Sequence, residues 1–431
     1  MNTIATARPN EVRRDKAAPL RIAMLTTFYP PYSFGGDAIG VQRLAQAFAA
    51  RGCEVTVIND EDAFFTLSQA DPAPPTPTPG IEVIGLRSRF GAASNLLTHQ
   101  LGRPVVHARR LHELLAPGAQ DIIWFNNVSL VGGPGLLAYG DALKVYEAHE
   151  HWLVCPTHVL WRHDREVCTG RECLRCVASY KRPPQLWRYT GLLQRELRHV
   201  DLFIAKSQFS RDKHAEFGFP REMAVVPYFL PDPEPVPDHE TASPHERPYF
   251  LFVGRLERIK GVQDLIPAFA AYPDADLIVI GGGEYEAELR AQAQGNPRVK
   301  FTGKLSPDEL SRYYRHAVAL LTPSLCYETF GIILIEAFRQ GTPVIARALG
   351  PFPEIVGQGG GLLFSTPEEL TAAMGRLQHE PGLRDRLALS ASESFRASWS
   401  ETAVMEDYVR TLRGAALAKG DHDVVAALER L

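Results

Sequence analysis

The chain has 431 residues, 45% of them hydrophobic and 22% charged, with a formal net charge of -4 at pH 7. Such a length exceeds one compact core and suits two domains of about 200 residues, and the composition excludes wholesale disorder. The near balance of charge excludes a general affinity for nucleic acid, so any site for a polyanion would have to be a local patch.

Residues 1–18 carry Arg8, Arg13, Arg14 and Lys16 with no apolar core of the signal-peptide kind, so a flexible tail is expected there. No run approaches the roughly 20 apolar residues of a membrane span. With six cysteines and no leader, a reducing, cytoplasmic setting is expected, with peripheral contact to the inner membrane face as a further option. Residues 20–26 form a continuous apolar run, as a buried parallel strand does. A Pro/Gly loop over residues 29–36 follows. Asp37 can then cap a helix whose Val41, Leu44, Ala45 and Phe48 recur at helical spacing until Gly52, and residues 53–58 supply the next strand. Right-handed crossover makes this βαβ unit parallel. Runs at 81–86, 122–125, 143–146 and 202–205 continue the sheet of a first domain over 19–226.

Residues 227–248 are proline-rich and cannot hold a regular helix or central strand, which reads as a linker. The pattern then restarts in a second domain over 249–399. Strands are expected at 249–253, 277–280, 299–302, 318–321 and 343–346, and helices at 262–271, 284–293, 307–316 and 330–340. Helices over 400–431 are expected to pack back on the first domain. The fold class is therefore α/β, with two doubly wound Rossmann-like halves facing across a cleft where ligands bind at the strand carboxyl ends.

Gly254-Arg255 ends a strand and Lys260-Gly261 opens a helix, so a Gly and two cations within a few residues can clamp an anion. Surface cations beside a tight turn are the plain alternative. Gly281-Gly282-Gly283 is a second phosphate-type turn, but Glu286 occupies the third position of G-x-G-x-x-G, which counts against a nicotinamide oxidoreductase. Glu328 and Glu336 flank Thr329-Phe330-Gly331-Ile332, where a helix N-terminus offers free amides and its positive dipole end to a diphosphate. Glu336 on an apolar helix needs partners, either ribose hydroxyls or a cation such as Arg339.

From Phe252 to Phe364 the chain resembles the donor domain of glycosyltransferase family 4, through FVGRLERIKGV, GGG, VKFTGKLSPDEL and LLTPSLCYETFGIILIEAFRQGTPVIA. The first half is similar through YPPYSFGGDAIGVQRLAQAFAARGCEVTV, EAHEHW and IAKSQFS. The resemblance implies a GT-B fold and a retaining transferase that moves a sugar from a nucleotide diphosphate donor to a hydroxyl acceptor. Arg255, Lys260 and the helix dipole are expected to meet the leaving-group charge without a catalytic cofactor or metal, and a lipid-linked acceptor is one option. The resemblance also implies that Arg255 and Lys260 hold the diphosphate with Gly254 and Gly282 beside it, and that Glu336 holds the ribose. Glu328 and the backbone of Thr329, Phe330, Gly331 and Ile332 face the sugar and phosphates, with Lys304 and Leu305 near the base. Gly35 and Gly36 line the cleft and His149 sits by the reacting sugar, while His151 merely packs. Pro227-Tyr228-Phe229 and Pro351 depart from the family pattern at the hinge and the sugar pocket. A sugar-nucleotide epimerase and a non-catalytic sugar-nucleotide binder are the rival functions.

Asp274-Ala275-Asp276 looks like a metal-binding pair, yet it precedes a strand, at the sheet edge away from the cleft, and reads as a solvated turn. Cys155, Cys168, Cys173 and Cys176 have the spacing C-x12-C-x4-C-x2-C, which suits one structural zinc ion, with free thiols or a disulfide as alternatives. Between Arg162 and Arg198 stand nine Lys or Arg against four acidic residues, with Tyr180, Trp187 and Tyr189 among them. That stretch is either a contact for an anionic membrane or a solvated basic face.

Overall fold

The computed structural model describes residues 18–68, 72, 74, 77–233 and 242–431. All but the last residue of the expected N-terminal tail, and residues 234–241 of the expected linker, lie outside them.

The strands in chain order are β1 Arg21–Thr26, β2 Glu54–Asp60, β3 Ile81–Leu86, β4 Ile122–Phe125 and β5 Leu143–Ala148; β6 Trp161–Arg162 and β7 Glu166–Val167; then β8 Leu202–Ala205 and β9 Ala224–Val225. The second half holds β10 Tyr249–Val253, β11 Asp276–Ile280, β12 Val299–Gly303, β13 Leu320–Thr322, β14 Val344–Arg347 and β15 Gly361–Phe364. The first sheet runs β3-β2-β1-β4-β5-β8-β9 and the second β12-β11-β10-β13-β14-β15, and every described pairing in both is parallel. Strand order reverses between β1 and β4 and between β10 and β13, the crevices where open parallel sheets bind ligands. The β6–β7 pair is a separate antiparallel hairpin inside residues 155–176, the stretch of the four closely spaced cysteines that is expected to be an insertion in the first domain.

Continuous apolar strands demand cover on both faces. In the first half, helix Gly36–Ala50 lays Val41, Leu44, Ala45 and Phe48 on one face of the sheet. The same cluster takes Val404, Met405, Tyr408, Leu412 and Ala416 of helix Glu401–Lys419 and Val424 of helix His422–Leu428. The chain end thus belongs to the core of the first half. Leu230 bridges to Ser400 where the two crossing segments meet, and Arg51 pairs with Glu401 at 2.8 Å. Tyr228 and Phe229, at the start of the expected linker, are buried, so this segment is a packed hinge and not a solvated tether.

The solvated-turn reading of Asp274-Ala275-Asp276 holds for Asp274 and fails for Asp276. Asp276 opens β11 and is buried, accepting hydrogen bonds from His245 Nε2 at 2.8 Å and Arg247 Nε at 3.2 Å. Burial works against its charge, but those bonds hold its carboxyl below the usual range.

Candidate active site

The carboxyl ends of both sheets open on one cleft of about 1190 Å³, lined by Gly35 and Asp37 from the first half and by Arg255 and Glu284 from the second. Gly35 caps helix Gly36–Ala50 in extended backbone. A Cβ on Gly36 would lie 3.6 Å from Ile332 Cδ1, so the facing helices nearly touch there.

Lys260 Nζ donates to Glu328 Oε1 at 2.7 Å, and Ser324 Oγ donates to the same oxygen at 3.1 Å. Both partners of the ion pair are half-buried. Burial disfavours both charges, yet their attraction prevails, holding Lys260 above its ordinary value and Glu328 below. Gly261 turns the chain at φ 79°, and a Cβ there would come 2.2 Å from Pro323 O, so this backbone approach needs glycine. Arg255 is more exposed, reaching into the cleft beside Glu257. Gly331, at φ 116°, caps helix Ile332–Arg339 with no side-chain hydrogen bond to the first-turn amides, of which Leu334 N bonds Gly331 O at 3.0 Å.

Glu336 accepts from Tyr314 Oη at 2.9 Å and faces Arg43 Nη2 of the opposite half at 3.9 Å. Burial pushes its carboxyl up against the pull of Arg43. Arg339, the cation proposed for it from sequence, donates to Asp232 O instead. Lys304 approaches Gly282, and Leu305 packs partly against the second-half core.

His149 follows directly on β5, with its ring buried and both nitrogens engaged. Nε2 lies 2.9 Å from Asn126 Oδ1, and Nδ1 meets the hydroxyl of Tyr228. Asn126 Nδ2 points at Leu25 O, so its oxygen faces the histidine; this assigns the proton to Nε2 and makes Tyr228 the donor to Nδ1. Burial pulls His149 down to about 4, so the ring is neutral near pH 7. Behind it lies a network invisible to local sequence reasoning. Glu147, fully buried, accepts from Trp124 Nε1 at 2.8 Å and from Tyr408 Oη at 2.6 Å, and forms an ion pair with Lys206. The ammonium of Lys206 lies 4.5 Å from the centre of the Tyr228 ring. Gly40 makes this possible, since a Cβ there would stand 2.5 Å from Tyr228. His151 packs against His214 with ring centroids 5.2 Å apart.

Three contacts join the halves at the loop before helix Ile332–Arg339. Ser207 Oγ donates to Thr329 O at 2.7 Å, Thr329 Oγ1 donates to His149 O at 2.9 Å, and Glu354 accepts from the amides of Gln208 and Phe209 at 3.0 and 3.2 Å. Glu354 therefore caps helix Gln208–Glu216 of the other half. Phe330, one of the four residues whose backbone is expected to face the sugar and phosphates, stacks edge-on against Tyr228.

All four insertion cysteines are free thiols lining one enclosed space of about 20 Å³. Cys173 and Cys176 share one turn of helix Cys173–Ser179, and the His163 amide donates to Cys176 Sγ at 3.3 Å. Among the described residues, the group of three or more His, Cys, Asp and Glu residues with ligand atoms all within 4.8 Å is Asp60, Asp62 and His107; the cysteines are more widely spaced. Asp60 and Asp62 are already satisfied by Ala63, Asn95, Ser88 and His107. Much of the basic segment is likewise occupied internally: Arg188 lies 4.5 Å over Trp187 and donates to Trp152 O, and Arg162 pairs with Glu166. No helix of the described residues is long and apolar enough to cross a membrane.

Comparison with known proteins identifies this arrangement. Residues 34–232 match the family model of Glycosyltransferase Family 4 and residues 237–393 that of Glycosyl transferases group 1. The chain belongs to glycosyltransferase family 4. It is 33% identical to a sulfoquinovosyl transferase of Arabidopsis thaliana over 34% of this chain and 30% of that protein. To a D-inositol 3-phosphate glycosyltransferase of Corynebacterium jeikeium it is 35% identical over 38% and 43%. The chain thus spans less than half the length of these relatives. A glycogen synthase of Mycobacterium tuberculosis aligns over 92% of this chain and 96% of its own at 26% identity. Among solved structures, sucrose-phosphate synthase from Thermosynechococcus elongatus superposes with a TM-score of 0.70 at 22% identity, covering 92% of this chain and all of that one. Anabaena HepE, solved with UDP and glucose, gives 0.64 at 20% identity, with coverage of 92% and 100%. The fold of this family 4 chain is GT-B.

Proposed function

We propose that the chain transfers a sugar from a nucleoside diphosphate donor to a hydroxyl acceptor with retention of configuration. The observation that carries this reading is the Lys260–Glu328 pair beside the amides of helix Ile332–Arg339, at the carboxyl end of a parallel sheet and across a cleft from Gly35. Arg255, Lys260 and the helix amides meet the negative charge that grows on the departing diphosphate. Glu328 both holds Lys260 and places negative charge near the cation-like sugar. The acceptor hydroxyl attacks from the face the diphosphate leaves and passes its proton to that diphosphate. His149, neutral and locked by Asn126 and Tyr228, contributes shape and its backbone carbonyl, which fixes Thr329. Glu336 orients the ribose once Arg43 gives way or joins the contact. The UDP bound to the Anabaena relative supports the donor class.

Thermal shift with UDP, GDP, ADP and their sugars tests the reading, because ligand at 100 times its dissociation constant stabilises by roughly 2.7 kcal/mol. One nucleotide is expected to raise the midpoint, and product analysis to show the anomeric configuration retained. No response to any nucleotide, or an inverted product, would count against it. The cysteine insertion is proposed to close on one zinc ion, its sulfurs moving together when loaded. Protein purified under reducing conditions and found free of metal by elemental analysis would refute this.

A further inference from the structure

A second cavity, of about 630 Å³, opens on the first half beside the cysteine stretch. Among the described residues it shares only Pro156 with the lining of the cleft. Its floor is apolar: Leu153, Leu193, Leu197, Phe217 and Phe219 are all buried there, while Leu174 and Tyr189 stand at the rim, 58% and 59% exposed. Small-molecule sites have roughly this form, about 300 to 1,000 Å³ of apolar wall with a few placed polar groups that orient the ligand.

The charged groups of the lining are three guanidiniums, those of Arg171, Arg175 and Arg188, against the carboxylate of Glu172. Arg171 is fixed by donating to Phe217 O. Gly218 permits that approach by turning the chain at φ 77°, since a Cβ there would stand 2.7 Å from Arg171 Nη2. Arg188 is half-buried, donates to Gln185 Oε1 and to Trp152 O, and lies over the rings of Trp187 and Trp152 at 4.5 and 5.5 Å. Neither Arg171 nor Arg188 has an ion pair among the described residues. Glu172 does not supply one, because it is shared by His163 at 3.2 Å and Arg162 at 3.5 Å and reaches Arg175 only at 3.9 Å. Cations held against apolar and aromatic surface without a counter-charge favour an anion beside them. A carboxylate or phosphate suits best, since its paired oxygens meet a guanidinium fork on two parallel bonds.

We infer that this cavity, between helices Cys173–Ser179 and Leu192–Glu196 and the turn at Gly218, binds a small water-soluble organic anion, with its carboxylate or phosphate head among Arg171, Arg175 and Arg188 and its compact apolar body on the floor. The site is separate from the cleft, so it does not rest on the transferase reading. The test uses 8-anilinonaphthalene-1-sulfonate, an aromatic body with one anionic head whose emission rises on leaving water. The full chain is expected to bind it at one saturable site, and UDP, GDP and ADP are expected to leave the signal unchanged. Phenyl phosphate or benzoate should displace it, the more effective of the two identifying the head, while benzyl alcohol at the same concentration should not. Arg171→Gln/Arg175→Gln should weaken its binding at least about tenfold. Leu174→Glu, which places a negative charge at the exposed rim, should abolish binding with the thermal midpoint unchanged. The inference is overturned if no saturable binding is found, if neither anion displaces the dye, or if benzyl alcohol displaces it as well as they do. Displacement by the nucleotides would also overturn it, by placing the dye in the cleft. Wild-type affinity in both variants would do the same, by assigning the dye to apolar surface elsewhere.

Discussion

Glu328, before helix Ile332–Arg339, and Glu336, within it, hold different partners, which under the proposed donor site sets different consequences for their loss. Glu328 is tied to Lys260 at 2.7 Å beside the expected diphosphate, so its contribution grows as charge separates in the transition state. Glu336 meets Tyr314 and Arg43, on the side expected to hold the unreacting ribose. Charged hydrogen bonds contribute roughly 1.5 to 3 kcal/mol, so Glu328→Gln should lower turnover about tenfold to a hundredfold, and Glu336→Gln should raise the donor Michaelis constant about tenfold. Single-turnover kinetics with the identified donor separate the two; wild-type behaviour of both variants would place the donor elsewhere. Buried histidines set the response to acid. His149, His99 and His214 are pulled down to about 4 by burial, and His151 well below its ordinary value. Between pH 6.5 and 4 the unfolded chain binds more protons at these sites, so their contribution to stability is lost as pH falls through that window. Asp60, pushed up to about 7 by burial, acts in the opposite direction between 7 and 3.8. Glu336 and Glu61, also raised by burial, oppose it too, but four histidines outnumber these three carboxyls, and the melting temperature should fall by about 5 °C from pH 7 to pH 5. Calorimetry showing a flat or rising midpoint would contradict the burial of these rings.

At the scale of elements, glycine is irreplaceable where helix Ile332–Arg339 begins. Gly331 sits at φ 116° with Phe352 Cε1 only 2.7 Å from where a Cβ would stand. Gly331→Ala should cost about 1 to 3 kcal/mol and weaken nucleotide binding as well, because the first-turn amides would shift. Denaturant unfolding and a nucleotide titration check the two effects separately; an unchanged midpoint would show that the loop relaxes. The elements themselves were legible to different degrees. Strands 81–86, 122–125, 202–205 and 249–253 and helix 307–316 appear with the bounds their apolar patterns predict, since buried parallel strands are short continuous apolar runs. The expected helix 330–340 begins two residues later because Phe330 and Gly331 form the cap. Helix Ala92–Leu101 escaped notice, because amphipathic reasoning assigns Leu96, Leu97 and Leu101 to a core face and here they face outward.

In the whole molecule, the C-terminal helices complete the first half instead of extending the second. Tyr408 bridges Glu147 and Lys206, while Val404, Leu412 and Ala416 cover the apolar face beside Phe48. A chain ending at Trp399 would expose that face and wet a buried ion pair, so it should be recovered insoluble. Cooperative unfolding of the truncated chain at the full-length midpoint would refute this. Neighbouring residues alone make the two parallel-sheet halves and the glycine turns at their strand ends legible, because apolar runs and turn signals are local properties of the chain. Only the tertiary structure decided that Tyr228 locks His149, that Lys206 neutralises Glu147, that Glu354 caps a helix of the opposite half and that helix Ala92–Leu101 turns its leucines outward. Each of those depends on groups far apart along the chain, whose burial and charge are fixed by what folding brings beside them.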